Sequence, residues 1–251
     1  MDSLEQGTYE RASTREMIHE SIVGKFLSGN CFYPVLQPIY RIQNTSIVGY
    51  EFLTRSTIPS LKMPDAFFAF CRDNDILNAV DLRCFEMCIK TAGSMTPDFR
   101  NHINLFPSTL QHLYLDRLLD ILRRFKPSEA LCIELNAQLC LDAHPYFERN
   151  LKALRDTGSK IAISGVGFNK NAPQYLRTLN PDIIKIDRRL IKNISHDSDR
   201  RKSFKKMMEM IQGLRAEVIA EGIERQEDRD ALVKLGITFG QGFLWGQPEE
   251  I

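Results

Sequence analysis

Short apolar runs rich in β-branched and aromatic residues alternate with longer helical patterns along almost all of the 251 residues. Such alternation predicts βα units around a largely parallel sheet. About eight runs stand out: FYPVLQPIY, SIVGYEFL, HINLF, ALCIEL, KIAIS, IIKID, EVIAE and the shorter FGQGFLW. Between them lie ILNAVDLRCFEMCIKTAG, STLQHLYLDRLLDILRRF, HPYFERNLKALRDTG, APQYLRTL, SFKKMMEMIQGLRA and EDRDALVKLG, which have helical periodicity. Gly93, Gly158 and Gly236 are expected as turn residues at helix ends, and Ser108, Thr109 and Asp228 at helix starts. The pattern predicts a TIM-like (βα)8 barrel. Only RIQNT joins the first two runs, too little for a crossover helix, so the first strand is expected to run antiparallel to the second as a hairpin.

Residues 1–29 are read as an N-terminal helical extension packing on the barrel. Ile18, Ile22 and Phe26 recur at helical spacing with Val23 and Leu27 beside them, an apolar face that suits the barrel or a partner. Residues 30–251 are read as one barrel domain, because no repeat or linker divides them. The basic segment NISHDSDRRKSFKK is expected to be a solvated helix start. A balance of 33 Lys plus Arg against 32 Asp plus Glu gives a formal charge of +1, so no global field draws in DNA or a membrane surface. No apolar stretch approaches the ~18 residues of a membrane helix and no signal peptide is evident, so the chain is expected to be cytoplasmic. Cys31, Cys71, Cys84, Cys88, Cys132 and Cys140 form no CxxC pair and are expected to be reduced and buried. His19, His102, His112, His144 and His196 show no metal-ligand spacing, and histidine chemistry is not expected.

In such a barrel, chemistry collects at the carboxyl ends of the strands. Glu51, Asn104, Glu134, Lys185, Glu221 and Gln241 stand at or near the ends of successive runs. Carboxylates, an amide oxygen and a lysine around one mouth suit a hard divalent cation, with the lysine orienting or deprotonating a water.

In order and at compatible spacings, LQPIY, GYEFLTR, HINLFPS, CIELN, IIKIDR, IAEGIE and FGQGFLWGQP resemble the motifs of EAL domains, bacterial phosphodiesterases that linearise cyclic di-GMP. The resemblance runs from about Phe32 to Pro248 and implies a TIM-like barrel whose first strand is antiparallel. By position it implies metal ligands at Glu51, Asn104, Glu134 and Glu221. Lys185, with Glu221, is implied as catalytic, through activation of the nucleophilic water. Ligand-binding positions are implied at Gln37, Glu51, Leu53, Arg55, Asp187, Glu224, Gln241 and Pro248, Arg55 gripping a phosphate. Phe52 replaces the family's alanine and is expected to crowd the strand ends.

Three family positions are lost. The two aspartates of the loop after the fifth run align with Ser164 and Gly165, and the glutamate that anchors this loop aligns with Ala137. A neutral hydroxyl is a poor ligand for a hard cation and glycine offers none, so a metal pair would be under-compensated and the acid and metal residues vestigial. No cofactor is required on this reading, and at most one Mg2+ or Mn2+ binds. The resemblance with these losses implies a catalytically degenerate EAL protein in bacterial signalling. It would act as a cyclic di-GMP receptor or as a regulator of an unidentified protein partner. The alternative is a weakly active metal-dependent cyclic di-GMP phosphodiesterase. No DNA binding and no membrane association are expected, and pairing of barrel helices leaves a homodimer open.

Overall fold

A computed structural model describes residues 17, 19–95, 99–111, 115–125, 131–139, 145–167 and 172–250. Ile18, His112, Cys140 and His144, with residues 1–16, lie outside the described residues. The barrel begins with the hairpin: β1 (Phe32–Arg41) pairs antiparallel with β2 (Ser46–Ser56), Gln37 opposite Glu51. The strands β3 (Arg100–Asn104), β4 (Leu131–Asn136), β5 (Lys160–Val166), β6 (Ile183–Ile186), β7 (Glu217–Ala220) and β8 (Phe239–Gly240) follow, each parallel to its predecessor. β8 then pairs antiparallel with β1 and closes the barrel. A short β9 (Glu249–Glu250) pairs with Val35 and Leu36 of the same strand, so the eighth position is a split strand with residues 241–248 looping out between its halves.

Period-two alternation fills the barrel in layers. Ile39, Cys132, Ala162, Ile183 and Ile219 form an apolar plug of their own, packed against Phe239. One inward position below it, Arg100 and Lys160 pair with Glu217 at 3.0 and 3.7 Å as a charged floor. One inward position above it stand Gln37, Glu134, Ser164, Lys185, Glu221 and Gln241, so the alternation that buries the plug also aims these polar side chains at the mouth. Outward residues such as Ile103, Ile133, Ile163, Ile184 and Ile186 pack into the larger core beneath the helices.

Helices α1 (residues 19–28), α2 (Pro64–Asp73), α3 (Leu77–Ala92), α4 (Pro107–Gln111), α5 (Leu115–Phe125), α6 (Pro145–Arg155), α7 (Ala172–Leu179), α8 (Arg188–Ile191), α9 (Ser198–Ile211) and α10 (Gln226–Lys234) surround the strands. The helical residues 19–28 precede β1 and seat Phe26 edge-on against Phe67 of α2, with ring centroids 4.8 Å apart. Phe26, Phe32, Phe67, Val80 and Cys84 form a satellite core there, so the extension packs on α2 and α3. Gly93 closes α3 as its C-cap, right-handed at φ −66°, with its N–H turned to the Ile89 and Thr91 carbonyls. Two expected helix starts differ. α4 begins at Pro107, and Ser108 instead hydrogen-bonds the Asn78 side chain at 2.7 Å. Asp228 lies inside α10 and is buried, where it accepts from the Asn193 and Ser195 N–H groups at 3.0 and 2.9 Å. The five described cysteines are all buried free thiols.

Candidate functional site

At the mouth, the Lys185 Nζ lies 2.7 Å from Glu51 Oε2, 2.8 Å from Glu134 Oε2 and 3.1 Å from Glu221 Oε1. Lys185 is 0% exposed although its strand end faces the groove, because the three carboxylates roof it. Asn104 Nδ2 donates to Glu51 Oε1 at 2.9 Å, and Gln241 Nε2 donates to Glu51 Oε2 at 2.6 Å. Gln37 Oε1 is 3.5 Å from the same Gln241 amide. The six strand-end side chains Glu51, Asn104, Glu134, Lys185, Glu221 and Gln241 thus converge, with Gln37 from a seventh strand beside them.

Burial opposes the Lys185 charge, yet Glu134, Glu51 and Glu221 overcome it and raise the ammonium well above the usual lysine value. Burial likewise opposes the Glu51 charge, but Lys185 and the Gln241 and Asn104 amides hold its carboxyl down to about 2. Glu134 is pushed up to about 7 by burial and by Glu51, with Lys185 opposing. Glu221 is pushed up to about 7 by burial, against Lys185. One fixed ammonium therefore serves three carboxylates, of which Glu51 keeps its charge most firmly.

Glu51, Glu134 and Glu221 each offer an oxygen, all within 4.8 Å of one another. Together with the Asn104 amide, this donor set fits a single hard divalent cation that competes with Lys185 for the same oxygens. Beside this set, the Ser164 hydroxyl hydrogen-bonds Glu134, and Gly165 has φ +68° next to the Asn136 amide. Ala137 is 1% exposed within the apolar core.

A groove of about 420 Å3 opens over this cluster and is lined by Gln37, Glu51, Leu53, Asp187, Glu224 and Gln241, among others. Two expected ligand-binding positions fall outside its lining. Arg55, paired with Tyr33 near the end of β2, folds its Nη1 back onto the Thr54 carbonyl at 2.9 Å, while Pro248 sits beside β9. A second cavity, of about 310 Å3, adjoins the groove through Leu53, Asn104 and Ser164 and reaches Phe68, Asp81 and Phe106. Phe52 turns away from Glu51 into the core cluster that includes Leu82, Phe85 and Ile89 of α3, and it also lines this second cavity.

Three groups at the site lie within the motifs HINLFPS, CIELN and IIKIDR but were given no role from the sequence. His102, one step below Asn104 in the barrel, has Nδ1 3.6 Å from Glu134 Oε2, and burial first and Lys185 second lower its pKa to about 3. Asn136 lines both cavities. Arg188, directly after Asp187, reaches the groove as the first residue of α8. The inward alternation of HINLF would have located His102, and a second basic residue at a strand end would have flagged Arg188.

The family model described as EAL domain matches residues 20–248. The probable cyclic di-GMP phosphodiesterase PdeI of Escherichia coli (strain K12) is 28% identical over 85% of this chain. The chain spans 28% of that relative's length. Among solved structures, Klebsiella pneumoniae BlrP1 in a calcium and cyclic di-GMP complex is 28% identical with a TM-score of 0.77, covering 88% of this chain and 56% of that one. The Xanthomonas citri FimX EAL domain in complex with cyclic di-GMP shares the fold at a TM-score of 0.85, with 16% identity and 96% and 97% of the two chains covered. With seven ordered motifs, a barrel closed through an antiparallel first strand and a match across nearly its whole length, the chain belongs to the EAL-domain family.

Proposed function

We propose that this chain is a catalytically degenerate EAL domain that binds cyclic di-GMP as a receptor rather than cleaving it. The carrying observation is the engagement of Glu51, Glu134 and Glu221 by Lys185, and the reading is supported by Ser164 and Gly165 at the positions that the motif resemblance aligns with the family's two aspartates. A pair of cations clamps the attacking and leaving oxygens in a two-metal hydrolysis, and here the carboxylate able to bridge such a pair is missing. The groove and its adjoining cavity retain space and polar groups for a nucleotide: Gln37, Asp187, Glu224 and Gln241 at the mouth, and Phe68 and Phe106 as apolar walls. The relatives' names support the ligand class, since PdeI is described as a probable cyclic di-GMP phosphodiesterase and the BlrP1 and FimX structures hold cyclic di-GMP. A regulator of a protein partner is the form this function takes if ligand occupancy is relayed to another chain.

One observation favours a second reading, a weakly active phosphodiesterase: the three carboxylates and Asn104 can together hold one Mg2+ or Mn2+. Titration with cyclic di-GMP in EDTA, and again with Mg2+ or Mn2+ while linear product is followed, tests both. Binding without turnover under both conditions is expected. Turnover of several per second with metal, within the ordinary enzyme range, refutes the receptor reading. No binding at high micromolar ligand leaves the protein-interaction role.

A further inference from the structure

We propose that Arg188 is a phosphate-binding residue of this mouth, its unengaged guanidinium supplying the positive charge that a phosphodiester needs there. The inference rests on the nucleotide-binding reading above.

Charge placement carries it. Glu51, Glu134, Glu221, Asp187 and Glu224 line the groove against Lys185, Arg188 and the nearby Arg189, so the mouth is formally anionic. The chain's +1 formal charge offers no general attraction to offset this. A phosphodiester can therefore enter only beside a cation that is not already engaged. Lys185 is spent on three carboxylates. Arg189 is spent on Asp187, to which Nε and Nη2 donate at 2.9 and 2.8 Å. Arg188 is exposed and lines the groove, and among the described residues no hydrogen bond or ion pair engages its guanidinium.

Its stem is also held in place. Gly222 has φ +67°, and a Cβ there would lie 2.4 Å from the Arg188 Cβ, so the loop after β7 leaves room for Arg188 to lie against it. Asp187 caps the first turn of α8 by accepting from the Arg189 N–H at 2.7 Å, which fixes the backbone from which Arg188 projects. A guanidinium so based presents a planar fork that matches two phosphate oxygens, which an ammonium cannot do.

The test is calorimetric titration of the full chain with cyclic di-GMP in EDTA, at low and at raised salt, for the native protein, Arg188→Ala and Arg188→Lys. Equal melting temperatures establish that the variants fold. Arg188→Ala is expected to bind about ten-fold more weakly or worse and to lose part of the salt dependence, since one fewer phosphate contact remains. Arg188→Lys should fall between the two because it keeps the charge without the fork. Native affinity and native salt dependence in Arg188→Ala overturn the inference while leaving the receptor reading standing. Absence of binding by the native protein overturns that reading, and the inference with it.

Discussion

Lys185→Met removes the one cation shared by three buried carboxylates while roughly keeping side-chain volume. At an effective dielectric of ~20, each ammonium contact of 2.7 to 3.1 Å is worth about 6 kcal/mol gross. Each carboxylate pair, at 4.8 Å or less, repels by about 3.5 kcal/mol or more on the same scale. Desolvation of the four groups absorbs most of the difference, and removing one partner from a buried ion cluster typically costs about 3 to 5 kcal/mol. For a chain of this size that is a fall in Tm of about 6 to 20 °C. The loss must depend on pH. Without the lysine, Glu134 and Glu221, already raised to about 7, are relieved only by taking up protons, so the gap between variant and native should widen as pH rises through about 7. Thermal melts between pH 5 and pH 8, with and without Mn2+, read this out. A divalent cation should narrow the gap at pH 8 by taking the ammonium's place. A gap under about 1 kcal/mol, or one that neither pH nor Mn2+ moves, would refute the reasoning.

Asp81 gives an independent pH test. It is buried beneath the start of α4, accepts from the Phe106 N–H at 2.9 Å, and burial pushes its carboxyl up to about 7. Because the folded value exceeds the unfolded one, its contribution to stability is complete below about pH 4 and is lost as pH rises towards 7. The Tm of Asp81→Asn should therefore move upward relative to native over that interval, and a constant difference would show that Asp81 ionises normally. Restoring both loop aspartates, Ser164→Asp with Gly165→Asp, should make melting respond to Mn2+ and raise metal-dependent cleavage of cyclic di-GMP above the native level. The left-handed backbone at position 165 sets a stability cost of about 1 kcal/mol or more. A folded double variant that binds Mn2+ and still does not cleave would show that the loop is not the only lesion.

The barrel was legible because the period-two rhythm of its runs is set by burial on both sides, which sequence records directly. The same rhythm placed Glu51, Glu134, Lys185 and Gln241 on one mouth. What escaped is set by partners distant in sequence. Helix α2, PDAFFAFCRD, lacks a polar face clear enough to read, since Phe67 packs on the N-terminal helix and Phe68 turns to Phe106. Asp228 resembles a helix cap in its own segment, but its acceptor oxygens are claimed by Asn193 and Ser195, more than 30 positions away. The outward turn of Phe52 follows from the inward turn of Glu51, a consequence of pleating that the size comparison with alanine did not take into account.

The split eighth strand also dictates an order of assembly. β1 meets β2 across a four-residue turn, whereas its other edge waits for Phe239–Gly240 and Glu249–Glu250, about 200 residues downstream. Loop-closure entropy makes the near pairing early and the far pairing late, so the contacts of Gln241 with Glu51 and Gln37 form only as the ring shuts. The protein's single tryptophan lies at this junction: Trp245 stacks on Tyr40 with ring centroids 4.7 Å apart. Its fluorescence is thus a built-in clock for the final event of folding, and refolding followed by Trp245 should lag behind the recovery of helical circular dichroism.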